Sequence, residues 1–290
     1  MKVPTNRIKD VVNHYVNEIT PLYGVHEAKQ MVYMLTEHFY GIDRVKLALN
    51  PEFRLSESEL SLIDFAVNDL KKYKPIQYII GQTEFCGRMF QVTENVLIPR
   101  HETEELVQLA IDFAKAKDGI HQILDIGTGS GCIAISLALE LTETKVSALD
   151  ISIEALALAK KNAEKLAAKV NFFEYDILKQ SELGISPKWD LIVSNPPYVT
   201  QADKGKMSRN VLAWEPHLAL FVTDENPLIF YKRILDFSKI YLNPNGCIML
   251  EINELYGAEV VVLFQANGFS SVKLHCDIHQ KPRFVTAKYE

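Results

Sequence analysis

The 290-residue sequence predicts an α/β fold in which helices cover both faces of a mostly parallel sheet. From residue 120 onward, short apolar runs alternate with longer segments of helical periodicity, which is typical of strand–helix–strand units. A glycine-rich turn follows the first of these runs, and two consecutive prolines follow the fourth. The apolar fraction of 48% fits a globular protein, and the net charge of −6 argues against binding nucleic acid through bulk charge.

Residues 1–74 are predicted to form a small helical domain that binds or positions the substrate, the alternative being plain structural support. Apolar residues recur at helical spacing before Pro21, which is expected to end the first helix. A second helix is expected before Gly41. Ser56 and Glu59 have the spacing of a capping box, which predicts the start of a third helix.

Residues 75–99 have a different composition and are predicted to form a β-hairpin linker. Residues 77–80 and 88–97 have the composition of strands and are separated by glycines. The segment Ile98-Pro99-Arg100 then leads into a helix with acidic residues in its first turn, which suits the helix dipole. The rest of the chain, 100–290, is predicted to be one α/β domain.

Seven strands are predicted in this last part, at residues 122–126, 145–149, 171–175, 189–193, 247–252, about 272–274 and about 284–286. The last two are expected to pair with each other. Helices are predicted at residues 130–140, 153–167, 226–241 and 258–266. Because the carboxyl ends of parallel strands meet at one edge of a sheet, the residues that follow the first four strands are expected to share a site.

The fourth strand is followed by the motif Ser194-Asn195-Pro196-Pro197-Tyr198. Prolines cannot continue a strand ladder, and they fix the backbone of the loop that leaves the sheet. The Asn195 side-chain oxygen and the Pro196 carbonyl oxygen would then be two acceptors spaced to hold one NH2 group. The flat face of Tyr198 could cover a planar amide or amine. The alternative is a strand that ends in an ordinary Asn-Pro turn.

The first three strands end in residues suited to a nucleoside. Glycines in the turn 127–131 let the backbone approach a ligand, although Cys132 replaces the small residue of the dinucleotide fingerprint and so disfavours pyrophosphate. Asp150 is placed to bind ribose hydroxyls and Asp176 to accept from an adenine amino group, unless each is a cap or loop residue. A ligand with adenine, ribose and a third part reaching the prolines would be S-adenosylmethionine. The predicted cofactor-binding residues are Asp125, Ile126, Gly127, Thr128, Gly129, Gly131, Asp150, Asp176, Ile177 and Asn195.

Over nearly its whole length the sequence resembles the HemK/PrmC class of N5-glutamine methyltransferases. The resemblance rests on the helical front domain, residues 75–81, Ile98-Pro99-Arg100, the glycine turn, Asn195 to Tyr198, Trp214-Glu215-Pro216 with Ala219-Leu220, and Leu250-Glu251-Ile252. The sequence departs from the usual family pattern at His101, Asn253 and Tyr256, where Pro, Gly and Gln are common.

This resemblance implies a class I S-adenosylmethionine-dependent methyltransferase fold. It also implies methyl transfer to the glutamine amide of the Gly-Gly-Gln loop in peptide chain release factors, with S-adenosylhomocysteine as product. Asn195, Pro196 and Tyr198 would be the catalytic residues. Together with Pro197, the same residues would bind the substrate glutamine.

Two other functions stay open at this point: an amino-methyltransferase for adenine or guanine in DNA or RNA, and a cofactor-binding protein without catalysis. The acidic balance and the lack of a Lys/Arg-rich stripe argue against a nucleic-acid substrate. Four scattered cysteines without a Cys-x-x-Cys pair favour a reduced cytoplasm and no zinc site. No membrane association is expected, because no apolar run has the length of a membrane span.

Overall fold

The computed structural model describes residue 3 and residues 5–117, 120–179 and 188–289. The chain divides into two compact units. One consists of Met1–Gly81 with Ser208–Trp214, and the other of Gln82–Met207 with Glu215–Glu290. Over the described ranges, no helix combines the length and the apolar character needed to cross a bilayer.

The described residues form ten α-helices, which are α1 Ile8–Tyr40, α2 Arg44–Leu49, α3 Glu57–Lys71, α4 Ile76–Ile80, α5 His101–Ala116, α6 Cys132–Glu140, α7 Ile153–Lys165, α8 Arg209–Trp214, α9 Ile229–Tyr241 and α10 Gly257–Ala266. In the first unit, apolar residues of α1 and α3 form a common buried core. The capping box predicted for α3 is confirmed, because the Ser56 hydroxyl accepts from the Glu59 N–H and the Glu59 carboxylate accepts from the Ser56 N–H.

The prediction that Pro21 ends the first helix is wrong, because α1 continues past it. A proline inside a helix removes a single N–H donor, so its effect is local. The break lies three residues later at Gly24, whose φ of 75° is open to glycine but strained for other residues.

The strand predicted at residues 77–80 is also wrong, because these residues belong to α4. Their β-branched and aromatic side chains favour strands, but the flanking residues decide the outcome. Pro75 supplies a suitable backbone angle just before the first turn, and Gly81 ends the helix with a φ of 76°. The N–H groups of Tyr78 and Ile79 both donate to the Pro75 carbonyl.

Nine strands are described, which are β1 Gln82–Phe85, β2 Arg88–Gln91, β3 Gln122–Ile126, β4 Lys145–Asp150, β5 Val170–Glu174, β6 Trp189–Ser194, β7 Leu242–Glu251, β8 Phe269–Cys276 and β9 Pro282–Tyr289. Strands β1 and β2 form an antiparallel hairpin, joined by Cys86 and Gly87. Both joining residues have positive φ, which is the geometry of a two-residue type I′ turn.

The other seven strands form one sheet in the order β5-β4-β3-β6-β7-β9-β8. Strands β3 to β7 run parallel to one another, and β9 is antiparallel to both β7 and β8. The predicted seven-stranded, mostly parallel sheet is thus confirmed. The order reverses between β3 and β6, and ligands of such sheets bind beyond the carboxyl ends of the strands at this point.

Two apolar layers cover the sheet, one on each face. Alternate residues of the central strands point to opposite faces, as in β6, where Leu191 and Val193 contact one layer and Ile192 the other. Residues of α5 and α6 complete the first layer, and residues of α9 and α10 complete the second. The strand ends beyond these layers are therefore carried on a rigid support.

Candidate functional site

A cavity of about 290 Å³ opens at the carboxyl edge of the sheet, at the reversal between β3 and β6. This volume is close to the lower limit that is typical of small-molecule pockets. The structure brings many of the predicted site residues to its walls, namely Ile126, Gly127, Gly129, Asp150, Asp176, Ile177, Asn195, Pro196 and Pro197. Of the other predicted residues, all of them described, Asp125, Thr128, Gly131 and Tyr198 do not line the cavity.

Asp125 lies beneath the glycine turn and is fully buried. Its Oδ2 accepts from the Thr128 hydroxyl at 2.6 Å and from the Ala134 N–H at 3.3 Å. Burial raises the pKa of this carboxyl to about 7, against the lowering effect of the two donors. Asp125 therefore braces the turn against α6 from below.

Asp150 connects the glycine turn to the loop after β4. Its Oδ2 accepts from the Gly129 N–H at 2.8 Å, and its Oδ1 accepts from the Ser152 N–H at 2.9 Å. Burial raises the pKa of the carboxyl, and the backbone donors oppose that shift. Each carboxylate oxygen can accept a second hydrogen bond, so Asp150 can bind a ligand hydroxyl while it holds the turn.

Asp176 occupies the corresponding place after β5. Its Oδ1 accepts from the Leu178 N–H at 3.0 Å, and the exposed Lys179 ammonium lies 3.4 Å from Oδ2. The neighbouring strands β4 and β5 carry Asp150 and Asp176 to the same cavity. Apolar side chains, including those of Leu149 and Ile177, line the cavity beside them.

Asn195 is held by a hydrogen bond from its side-chain Nδ2 to the Thr103 hydroxyl oxygen, at 3.1 Å. Within the described part of the chain, no donor is bonded to its Oδ1. The strand before it is anchored by the buried Ser194 hydroxyl, which donates to the Ile126 carbonyl at 2.6 Å. The corner that follows β6 is thereby joined to the end of β3.

Glu251, at the end of β7, is a buried carboxylate that accepts from two hydroxyl groups. Thr103 donates to its Oε2 at 2.7 Å and Tyr198 to its Oε1 at 2.9 Å. Burial raises the pKa of Glu251 and, with the carboxylate beside it, raises the pKa of Tyr198 well above 10. Tyr198 is thus anchored through its hydroxyl, a contact that its motif did not predict.

Asn253, one of the departures from the usual family pattern, holds the same corner from another side. Its Nδ2 donates to the Tyr198 carbonyl at 3.2 Å, and its Oδ1 accepts from the Leu255 N–H at 3.0 Å. A glycine at this position would make neither side-chain contact. The departure therefore adds support to the loop that follows Asn195.

Arg100 and Glu215 connect two further segments of the cavity wall. The Arg100 guanidinium donates to Glu215 Oε1 at 2.6 Å, and the Ile98 N–H donates to Oε2 at 3.3 Å. The Glu215 side chain is only 1% exposed. Residues 94–97 precede this pair and Pro216 follows it, and all of them line the cavity. The pair therefore fixes the position of both segments.

Sequence reasoning assigned no role to Thr103, Glu215 or Glu251. An acidic residue inside the otherwise apolar run Leu250-Glu251-Ile252 was a usable signal, because buried carboxylates require partners. The signal did not identify those partners, since they lie far away in the sequence. Only the fold brings them together.

Two family models match the chain. The model of the "Methyltransferase small domain" matches residues 108–216, and that of the "PrmC N-terminal domain" matches residues 17–81. The first match contains the glycine turn and the Asn195 corner. The second lies within the helical part of the first unit.

Curated relatives match over almost the full chain. A release factor glutamine methyltransferase of Bacteroides thetaiotaomicron is 42% identical over 282 residues, which are 97% of this chain and 99% of the relative. The protein of the same name from Flavobacterium psychrophilum is 40% identical over 284 residues, again 97% and 99% of the two chains.

Among solved structures, a methyltransferase from Pyrococcus furiosus superposes with a TM-score of 0.50 at 17% identity. The match covers 80% of this chain and 98% of that chain. At this identity the likeness supports the fold alone.

Proposed function

The chain belongs to the release factor glutamine methyltransferase family, and we propose that S-adenosylmethionine is its methyl donor and the glutamine of the Gly-Gly-Gln loop of class I release factors its acceptor. It is an enzyme with the class I methyltransferase fold, and it methylates the side-chain nitrogen (N5) of a glutamine. The by-product of the proposed reaction is S-adenosylhomocysteine. A cytoplasmic location is part of the proposal, because release factors act in translation.

The cavity residues suit this donor. Gly127 and Gly129 have φ of 75° and 55°, and a Cβ at either position would meet open space, which leaves a cradle beside the turn. Asp150 and Asp176 offer acceptors for ribose hydroxyls and an adenine amino group. Leu149 is among the apolar residues that can contact a flat base. When bound, the donor would supply a methyl group on a positively charged sulfur.

The acceptor half of the proposal concerns Asn195 and Pro196. A glutamine amide nitrogen is a weak nucleophile, because its lone pair is delocalised into the carbonyl group. The Asn195 Oδ1 and the Pro196 carbonyl would accept its two hydrogens, aim the nitrogen at the methyl group and stabilise the positive charge that develops on it. Holding the substrate amide close to the bound donor would contribute further by proximity, and the amide proton would be lost late to water.

The observation that carries this proposal is the state of the Asn195 side chain. Its Nδ2 donates to Thr103, so Oδ1 is the atom available to a ligand, and both Asn195 and Pro196 line the cavity. The prolines hold the backbone of this corner before any substrate binds. A preorganised acceptor of this kind needs no rearrangement during the reaction.

The test is methyl transfer from labelled S-adenosylmethionine to a purified release factor, with DNA and RNA offered in parallel. We expect label on the release factor and none on a variant whose Gly-Gly-Gln glutamine is replaced by alanine. Asn195→Ala should lower kcat roughly a hundredfold or more, with a much smaller change in cofactor Kd measured by calorimetry.

Asn171→Ala, at an exposed position of β5, is the matched control and should retain full turnover. Wild-type turnover by Asn195→Ala would disprove the acceptor role. Label on nucleic acid instead of the release factor would disprove the proposed substrate.

A further inference from the structure

A chain of side-chain hydrogen bonds, called the relay below, connects Asn195 through Thr103 to the buried Glu251 carboxylate. Asn195 Nδ2 donates to Thr103 Oγ1 at 3.1 Å, and Thr103 Oγ1 donates to Glu251 Oε2 at 2.7 Å. The three residues come from the loop after β6, the first turn of α5 and the end of β7. They are brought together only by the tertiary fold.

The donors and acceptors of these groups fix the direction of each hydrogen bond in the relay. The Thr103 hydroxyl donates to Glu251 Oε2, so its single hydrogen points to Glu251. The Thr103 oxygen can then only accept from its other neighbour. The Asn195 amide must therefore turn its NH2 group to Thr103 and its Oδ1 away from it.

We propose that Glu251, acting through Thr103, fixes the orientation of the Asn195 amide so that Oδ1 faces the substrate NH2. This inference rests on the acceptor role proposed above for Asn195. Glu251 and Thr103 are positioning residues, since neither is placed against the reacting atoms. A reversed amide would present its own NH2 to the substrate NH2, and two donors cannot bond to each other.

Burial makes this control effective. Thr103 is 3% exposed and Glu251 1% exposed, so solvent cannot readily replace either partner. The second carboxylate oxygen is also engaged, because the Tyr198 hydroxyl donates to Oε1 at 2.9 Å. Each hydroxyl group gives its hydrogen to the carboxylate. The hydrogen bonds of the relay therefore have one favourable donor-to-acceptor order, which runs from Asn195 to Glu251.

Glu251→Gln is the sharpest variant, because it keeps the size of the side chain but changes the direction of the relay. The glutamine NH2 can donate to Thr103, which frees the Thr103 hydrogen to donate to Asn195 Oδ1 and lets the amide reverse. We expect kcat to fall roughly tenfold or more, with cofactor Kd within about twofold of wild type. Unchanged kcat in Glu251→Gln would overturn the proposal.

Thr103 provides a second, independent pair of variants. Thr103→Val has nearly the same shape but lacks the hydroxyl, and should lower kcat in the same way. Thr103→Ser keeps the hydroxyl and should restore most of the turnover. Thr144→Val, which removes a remote hydroxyl bonded to the Leu141 carbonyl, is the control and should leave kcat unchanged. Equal losses for the valine and serine variants at Thr103 would overturn the proposal in favour of packing.

A double-mutant cycle separates this inference from the proposed function. If Thr103 acts through Asn195, Thr103→Val should cost almost nothing further in an Asn195→Ala background, measured as label transferred in single-turnover reactions. The same fold loss in both backgrounds would overturn the relay and leave the proposed function intact. High turnover by Asn195→Ala alone would instead overturn the acceptor role.

Discussion

The two halves of the cavity are held in place by different kinds of contact. On the side of the glycine turn, the carboxylates bond over shorter sequence separations: Asp125 to Thr128 three residues away, and Asp150 to Ser152 two residues away and to Gly129 21 residues away. On the side of Asn195, the partners are remote. Thr103 lies 92 residues from Asn195 and 148 residues from Glu251.

This difference matches the two tasks that we propose. A cofactor half built from short loops at strand ends can be specified locally, by glycines and by carboxylates that bind backbone N–H groups. An acceptor half must hold one amide in one orientation, which short loops alone do not ensure. Buried side-chain partners on α5 and β7 supply that restraint. In the proposed site, contacts over at most 21 positions shape the cofactor half, whereas contacts over 92 and 148 positions orient the acceptor.

The largest effect is expected for Asp125, in the locally built half. Burial raises the pKa of its carboxyl to about 7, whereas an unfolded aspartate has a pKa near 3.8. Between these values the folded chain holds a proton that the unfolded chain has released, so the free energy of unfolding falls as pH rises from about 4 to about 7. Asp125→Asn has no titratable group at this position, so its free energy of unfolding should not show this fall between about pH 4 and about pH 7.

Urea unfolding without cofactor at several pH values measures the effect. The stability of Asp125→Asn relative to wild type should increase by about 3 kcal/mol from pH 4 to pH 7 and then level off. Asp125 Oδ1 has no hydrogen-bond partner among the described residues, which agrees with a carboxyl that is easily protonated. A stability difference that stays constant over this pH range would contradict the prediction.

The contacts that hold the proposed cofactor half are easier to predict from the sequence than those that hold the proposed acceptor half, for the same physical reason. The turn at 127–131 is a motif of consecutive residues and can be recognised from the sequence. The structure places Gly127, Gly129 and Asp150 at one cavity. The Asn195 motif was visible too, but its partners Thr103 and Glu251 were not, because no local pattern links such distant residues. Whether these residues bind cofactor and substrate stays a prediction.

The same reasoning applies to the fold. The strands of the sheet were predictable because apolar periodicity is a local signal. The capping box before α3 was also predictable, because it depends on two residues three positions apart, and it is confirmed. Where competing local signals met, the prediction was wrong, as at Pro21, where the helix continues, and at residues 77–80, where flanking Pro75 and Gly81 outweigh strand-forming side chains.

The second-largest effect on stability is expected for Arg100→Ala, which removes one of the long-range contacts. Arg100→Ala leaves the buried Glu215 carboxylate without its cation, which should lower the free energy of unfolding by roughly 2–3 kcal/mol. This is less than for a fully buried pair, because the Arg100 side chain is 35% exposed. Arg88→Ala, which breaks the more exposed pair with Glu140, should cost less than about 1 kcal/mol.

Urea unfolding of both arginine variants gives the comparison directly. Cofactor affinity should also fall in Arg100→Ala, because only the longer bond from the Ile98 N–H to Glu215 then joins the two wall segments, and calorimetry measures that change. Equal stability losses at Arg100 and Arg88 would show that the buried carboxylate does not depend on its partner. The long-range contacts would then be less important than the comparison of the two halves implies.

The smallest effect is expected within the glycine turn, where Gly129 and Gly131 differ in what surrounds them. A Cβ at Gly131 would lie 2.9 Å from Ile135 Cδ1 and 3.1 Å from Ala159 Cβ, and the φ of 84° adds strain. Gly129 has positive φ but faces open space. Strain of this kind costs about 1–2 kcal/mol, so Gly129→Ala should lower stability by about 1 kcal/mol and Gly131→Ala by about 2 kcal/mol.

Cofactor binding should show the opposite order. A methyl group at Gly129 enters the cradle and should weaken cofactor Kd more than a methyl group at Gly131, which lies outside the cavity. Calorimetry with S-adenosylhomocysteine measures the binding, and urea unfolding measures the stability of the same two variants. If both properties changed in parallel, the turn would act as one rigid element, and the division between a supporting glycine and a ligand-facing glycine would be wrong.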